Sequence, residues 1–204
     1  MKLYWSSRSP FVRKVMVTAH EVGVAGSIRT ERVVVSAAAP NSDVMAANPL
    51  NKIPTLVLDD GTPLYDSRVI CEYLDTLHEG HKLFPADASA RWTALRRQAL
   101  GDGLMDVILL RLGEQGRPPA TQSEKHLSAY RLKIAAALDR LESEAEGLGG
   151  ALSIGHIAIG CALAHLDFRF AAENWCAGRA ALARWHGDFA RRPSMQATEY
   201  VDAY

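Results

Sequence analysis

Two short segments of the sequence combine hydroxyl groups with signals that begin a helix. Ser9 precedes Pro10, and serine suits the capping position of a helix while proline suits its first turn. Asp66 precedes Ser67, and this pair can cap another helix in the same way. Free N–H groups and the positive end of the helix dipole stabilise an anion at a helix start. Both segments are therefore candidate anion sites, although helix capping alone also explains their residue types.

A third candidate segment is a loop rich in turn residues at 48–52, which leads into Ile53 and Pro54. Lys52 is either a solvated loop lysine or a partner for a carboxylate. The Ile53–Pro54 bond is by default trans, because only about 5% of X–Pro bonds in folded proteins are cis.

The surrounding pattern predicts the elements that position these segments. They are, in order, a strand at 2–5, a helix beginning at Pro10, a strand at 28–35, strands at 53–58 and 63–65, and a helix after Asp66. A right-handed crossover makes the first two strands parallel, and the turn at 59–62 makes the last two an antiparallel hairpin. The first 79 residues therefore follow a β-α-β-β-β-α pattern.

The rest of the chain is helical by its periodicity. Predicted helices occupy residues 88–114, 121–147, 153–171 and about 176–191. We therefore expect an α/β domain at 1–79, a linker at 80–88 and an all-α domain at 89–204.

Composition excludes several classes of protein. Lys plus Arg and Asp plus Glu both number 23, so a zero net charge argues against nucleic acid and anionic membrane surfaces as partners. The longest apolar run, residues 157–164, is too short to span a membrane, and the polar N-terminal residues do not form a secretory signal. Three widely spaced cysteines favour a reducing, cytoplasmic compartment over a disulfide framework, and we predict no metal site.

Several of these segments, taken in order, resemble the glutathione transferase superfamily. The segments that carry the resemblance are residues 9–15, 48–54, 65–70, 153–158 and 166–169, with Tyr73 and Leu74 behind the third. The match is to a bacterial, serine-type member with a Ser-Pro-Phe motif. It implies a thioredoxin-like N-terminal domain, an all-helical C-terminal domain, and usually a homodimer.

The resemblance implies that glutathione is the co-substrate and that Ser9 is the catalytic residue. Its hydroxyl would donate a hydrogen bond to the glutathione sulfur and so favour the thiolate, which attacks the electrophile. Cysteine thiols at helix N-termini are acidified in a comparable way. Ser7 and Ser6 are alternatives, because other classes of the superfamily place the serine slightly earlier.

The resemblance also implies a set of residues that bind glutathione. Pro54 would follow a cis bond, so that the backbone of Ile53 pairs with the extended peptide as another strand would. Lys52 would pair with the glycyl carboxylate, Ser67 with the γ-glutamyl carboxylate and Asp66 with its ammonium group. Relatives more often have Glu at the Asp66 position, and the shorter side chain changes its reach.

The sequence indicates the residues of the electrophile pocket less clearly than those that bind glutathione. Candidates to line it are Phe11, Asp102 and Met105. Asp102 and Met105 are predicted on one helix, which could instead reach the neighbouring subunit. The ordinary alternative for Asp102 is an acidic side chain that is exposed to solvent on that helix. One departure stands out, because relatives place Asp three residues after the Ser or Thr that caps the buried helix, whereas Ser153 is followed by His156. A carboxylate there would close a capping box, so we expect this helix start to be weaker than in relatives.

The leading function is therefore a glutathione transferase that activates the thiol for attack on a small hydrophobic electrophile. A non-catalytic binding or regulatory protein is the alternative from another class, and a specialised glutathione-dependent dehalogenase or isomerase is a third. Fold alone does not decide among them.

Overall fold

The computed structural model describes residues 1–36 and 39–201. These form two compact units. The first comprises the described residues up to Arg91 together with the segment that begins at Pro193, and the second comprises residues 92–192.

The first unit has a four-stranded sheet with helices. Its elements are β1 (Lys2–Trp5), α1 (Pro10–Glu21), β2 (Arg29–Arg32), α2 (Ser42–Ala47), β3 (Thr55–Val57), β4 (Pro63–Leu64), α3 (Ser67–Thr76) and, from the C-terminal end of the chain, α8 (Pro193–Gln196). The strand order is β2-β1-β3-β4, with β1 parallel to β2 and the other two pairs antiparallel. The parallel crossover, the hairpin and the thioredoxin-like α/β fold expected from the sequence are confirmed.

Two local predictions in this unit were incomplete. The second strand, expected at 28–35, is formed only at Arg29–Arg32. Helix α2 was not predicted, because six residues are too few to show helical periodicity. Its start depends on Asn41, whose side-chain oxygen accepts hydrogen bonds from the N–H groups of Asp43 and Val44, both at 3.1 Å. This is the capping role that Asn commonly has.

A buried carboxylate organises the segment that follows α3. Asp75 is 4% exposed and accepts the N–H groups of Leu83 at 2.9 Å and Phe84 at 3.0 Å. His78 Nε2 lies 3.1 Å from the same carboxylate, and Lys82 donates to the Asp75 carbonyl at 2.9 Å. The chain after α3 is therefore fixed by hydrogen bonds to the end of that helix.

The second unit is helical, as expected. Helix α4 (Ala88–Gln115) runs from the end of the first unit into it and is followed by α5 (Glu124–Ser143), α6 (Ile154–Phe170) and α7 (Ala180–Ala190). Helix α6 is buried along most of its length. A Cβ on Gly101 of α4 would lie 2.5 Å from the backbone of Ala158 in α6, so only glycine permits this approach of the two helices.

The start of α6 carries the histidine that departs from the pattern of relatives. The Ser153 N–H donates to His156 Nδ1 at 3.0 Å, and the Ser153 hydroxyl lies 2.9 Å from the same nitrogen. Burial, followed by the positive charges of Arg97 and Arg192, lowers the pKa of His156 to about 4. The imidazole is therefore neutral at pH 7 and accepts the backbone hydrogen bond that a carboxylate would accept.

None of the helices in the described chain combines the length and apolar character needed to cross a membrane. Within residues 1–36 and 39–201, no three His, Cys, Asp or Glu side chains cluster as metal ligands would. Cys71 and Cys161 are buried free thiols, and Cys176 is a partly exposed one.

Candidate functional site

The sheet topology brings three of the predicted segments to one edge. Tyr4 lies opposite Thr55 on the antiparallel neighbours β1 and β3, and Leu56 lies opposite Leu64 on β3 and β4. Because neighbouring antiparallel strands point in opposite directions, the end of β1, the start of β3 and the end of β4 share an edge. Ser9, Ile53 and Asp66 each lie within four residues of one of these strand ends, so the candidate glutathione-binding segments lie on one side of the first unit.

Ser9 occupies the capping position of α1. Its Oγ accepts the N–H of Val12 at 3.3 Å, and its carbonyl accepts the N–H of Arg13 at 3.0 Å. Pro10 has no N–H, so Phe11 carries the one N–H of this first turn that pairs with nothing in the described chain. This is a free N–H group of the kind expected at a helix start, and it adds a second donor to the Ser9 hydroxyl.

The two neighbouring serines differ from Ser9 either in the role of the hydroxyl group or in position. Ser7 donates its proton to the carbonyl of Val201 at 2.8 Å. Ser6 accepts the N–H of Arg8 at 3.3 Å, before the helix begins. A hydroxyl has one proton to donate, and the Ser9 proton has no acceptor in the described part of the chain. The Ser7 proton is engaged, whereas the protons of Ser9 and Ser6 have no acceptor in the described chain. Ser9 differs from Ser6 in its position, because Ser9 is the residue that caps α1.

The loop before β3 is held by a buried asparagine. Asn48 is 1% exposed, and its amide donates to the Lys52 carbonyl at 3.2 Å and to Thr55 Oγ1 at 3.0 Å. Asn51 has φ 53°, a left-handed conformation that asparagine tolerates well. These contacts fix the backbone of Lys52 while its side chain is exposed, and its ammonium forms no ion pair within the described residues.

The Ile53–Pro54 peptide bond is cis, as the resemblance implied. Pro54 is buried, and Ile53 is half-buried just before β3. In the described chain, neither the N–H nor the C=O of Ile53 has a hydrogen-bond partner. Ile53 therefore presents both backbone groups at the sheet edge described above.

At the start of α3, Asp66 and Ser67 have different roles. Asp66 caps the helix, with Oδ1 accepting the N–H of Arg68 at 2.8 Å, and its side chain is exposed. The Tyr65–Asp66 peptide bond is also cis. Ser67 is 2% exposed, and neither its N–H nor its hydroxyl pairs with another group of the described chain. Because Asp66 does the capping, the Ser67 donors remain for a ligand.

The candidates for the electrophile pocket are distributed between the two units. Phe11 is half-buried in the first turn of α1, with the ammonium of Lys14 6.0 Å from its ring centre. Asp102 and Met105 lie on α4 in the second unit and are 1% and 0% exposed. The Asp102 side chain is therefore not the solvated helix acid of the ordinary alternative.

The burial of two basic side chains on α1 was not predicted from the sequence. Lys14 is 0% exposed and Arg13 is 8% exposed. Charged side chains are rarely buried, so the pattern gives no signal for them. Both are basic residues on the helix that Ser9 caps.

Family models identify both parts of the chain. Residues 8–77 match the N-terminal domain of glutathione S-transferase, and residues 124–188 match its C-terminal domain. The chain is also 35% identical to an uncharacterised glutathione S-transferase-like protein, YibF, of Escherichia coli K12, over 98% of both chains.

Solved structures of glutathione transferases are also similar to this chain. A glutathione transferase family member from Pseudomonas fluorescens Pf-5 with bound glutathione is 42% identical, with a TM-score of 0.95 and 98% coverage of both chains. A glutathione S-transferase from Methylobacillus flagellatus KT with bound glutathione is 35% identical, with a TM-score of 0.88 over 98% of this chain and 99% of that one. Together with the sheet-edge arrangement of Ser9, Ile53 and Ser67, these matches show that the chain belongs to the glutathione S-transferase family.

Proposed function

We propose that this protein is a glutathione transferase that binds glutathione along the shared sheet edge and lowers the pKa of its thiol. The observation that carries the proposal is the set of hydrogen-bonding groups there that have no partner among residues 1–36 and 39–201. These are the proton of the Ser9 hydroxyl, both backbone groups of Ile53 and the donors of Ser67. Glutathione-bound structures of similar proteins support the choice of ligand.

The charges of glutathione match the residues along this edge. The Ser67 N–H and hydroxyl, at a helix start, suit the γ-glutamyl carboxylate, because the helix dipole favours an anion there. Asp66 is exposed, with only Oδ1 used in capping, so its other oxygen can accept from the γ-glutamyl ammonium. Lys52 suits the glycyl carboxylate, and Ile53 pairs with the cysteinyl backbone as a neighbouring strand would.

The role of Ser9 follows from its proton. The thiol proton leaves to solvent, and the Ser9 hydroxyl donates to the sulfur anion while its own Oγ keeps the Val12 N–H. The thiolate then forms a carbon–sulfur bond with the electrophile. In a substitution the leaving group departs with the electron pair, and in an addition the adduct carbanion takes a proton from solvent. A second structure of the Pf-5 protein holds S-(propanoic acid)-glutathione, a thioether of this kind; that protein is 41% identical, with a TM-score of 0.91.

The decisive experiment measures the pKa of the bound glutathione thiol by the ultraviolet absorbance of the thiolate. A hydrogen bond to a charged group contributes about 1.5–3 kcal/mol, so Ser9→Ala should raise the thiol pKa by about 1–2 units. The rate of conjugation with a general aromatic electrophile should fall about 10–100-fold at pH 6.5. Ser9→Thr keeps both hydroxyl and cap and should retain the low pKa. An unchanged thiol pKa in Ser9→Ala would exclude this role.

A non-catalytic regulatory protein is the second candidate. It is supported by a relative whose name refers to a starvation response: the chain is 31% identical to a stringent starvation protein A homologue of Pasteurella multocida, over 71% of this chain and 59% of that one. Retention on immobilised glutathione without turnover of any electrophile would favour this candidate, whereas release of halide from a haloalkane would favour a dehalogenase.

The oligomeric state and the compartment are separate proposals. We expect a homodimer, as is usual in the family, and a cytoplasmic location. Light scattering after gel filtration tests the first, and cell fractionation tests the second.

A further inference from the structure

The C-terminal segment from Pro193 to Val201, which we call the C-terminal strap, belongs to the first unit and contacts helix α1. Its main anchor is Arg13, which is 8% exposed. Arg13 Nη2 donates to the Met195 carbonyl at 3.0 Å, and Nε donates to Thr198 Oγ1 at 3.4 Å. Thr198 Oγ1 donates in turn to the Ser194 carbonyl at 2.8 Å. A buried guanidinium needs such acceptors, so the strap satisfies donors that α1 would otherwise leave unpaired.

Two further contacts lie at the end of the strap. The Arg13 guanidinium stands 4.3 Å from the ring centre of Tyr200, within the range of a cation–π interaction. The Ser7 hydroxyl donates to the Val201 carbonyl at 2.8 Å. The strap is therefore tied to the chain two residues before Ser9 and again four residues after it.

We propose that the C-terminal strap positions Ser9, with Ser7 and Arg13 as the residues through which it acts. This inference rests on the proposed function of Ser9. The turn from Ser6 to Ser9 connects β1 to α1, and within it the hydroxyl of Ser7 is secured by a residue 194 positions away in sequence. Holding both flanks of Ser9 fixes the direction in which its proton points. Small errors in such placement are costly, because misplacement by about 1 Å can reduce a rate on the order of 100-fold.

The test uses the full chain with substitutions at Ser7 and Tyr200, and the thiol pKa of bound glutathione as the readout. Tyr200→Ala and Ser7→Ala should each raise that pKa by about 0.5–1 unit and lower kcat/KM at pH 6.5 about threefold to tenfold. The dissociation constant of glutathione should change less than twofold, because none of its proposed binding residues is altered. Tyr200→Phe keeps the ring beside Arg13, so it should raise the thiol pKa by less than Tyr200→Ala does. Gln196→Ala, at an exposed position of α8, is the matched control.

A chain that ends at Glu199 keeps the Met195 and Thr198 contacts and lacks Tyr200, Val201 and the three residues that follow. In this chain Ser7→Ala should have no further effect, because its acceptor is gone. The inference is overturned if Tyr200→Ala and the shortened chain fold normally and keep the wild-type thiol pKa. It is also overturned if Ser7→Ala raises the thiol pKa as much in the shortened chain as in the full chain. Failure of the proposed function looks different: Ser9→Ala itself then leaves the thiol pKa unchanged, and both proposals fall.

Discussion

Replacement of His156 by Asp should make the protein more stable, and increasingly so as the pH falls. In the wild type, Nδ1 of this histidine accepts the Ser153 N–H, so the proton of the neutral ring resides on Nε2. That nitrogen is buried and makes no hydrogen bond to the described chain. A carboxylate accepts the same N–H, leaves no buried donor unpaired and attracts the positive charges of Arg97 and Arg192 that oppose an imidazolium.

The pH dependence follows from the pKa of His156. Its ordinary value of 6.5 is lowered to about 4 in the folded protein, so the unfolded chain binds the proton more readily between these values. The free energy of unfolding therefore falls as pH is lowered through this window. Since one pKa unit is worth about 1.36 kcal/mol, the loss between pH 7 and pH 4.5 is roughly 2.5 kcal/mol. For a chain of this size that corresponds to a decrease in Tm of about 5–10 °C.

Thermal unfolding of three proteins at pH 7 and pH 4.5 tests this reasoning. His156→Asn keeps a neutral acceptor without a titrating group, so it should remove the pH-dependent loss without the benefit of a negative charge. His156→Asp should remove the loss and also exceed the asparagine variant at pH 7 by about 0.3–1 kcal/mol, the value of an anion at a helix start. A difference between wild type and either variant that stays constant from pH 7 to pH 4.5 would show that the histidine pKa is not lowered.

Two further predictions concern the helical packing and the segment after α3. Gly101→Ala should lower the free energy of unfolding by about 1–3 kcal/mol, because the new Cβ meets the backbone of α6 at 2.5 Å. Gly103→Ala, on the same helix with nothing within 4 Å of its Cβ, should instead stabilise by up to about 1 kcal/mol; denaturant titration compares them, and equal effects would contradict the close approach. Asp75→Asn should cost about 1–3 kcal/mol, since one of its two buried acceptors becomes a donor facing a backbone N–H. Faster hydrogen exchange in residues 78–84 is the local sign of this loss, and unchanged exchange there would contradict it.

Local signals in the sequence were sufficient to predict most of the helices and strands of the first unit. Ser9 with Pro10 predicted the start of α1, and Asp66 with Ser67 predicted the start of α3, because capping depends on residues within one turn. The parallel crossover and the hairpin also followed from short-range pattern. Helix α2 and the ends of the strands were not predicted, because their lengths are set by single caps and by pairing with distant strands.

The sequence by itself determined the family, the fold class and the residues at which the site had to be sought. Tertiary structure decided that the Ser7 proton is engaged, since its acceptor, the carbonyl of Val201, lies 194 positions away in sequence. It also decided that Arg13 is buried against the C-terminal strap and that His156 has a low pKa. The physical reason is common to these cases. Capping and periodicity are local properties, whereas the partner and solvation of a polar group depend on residues that only the folded chain brings together.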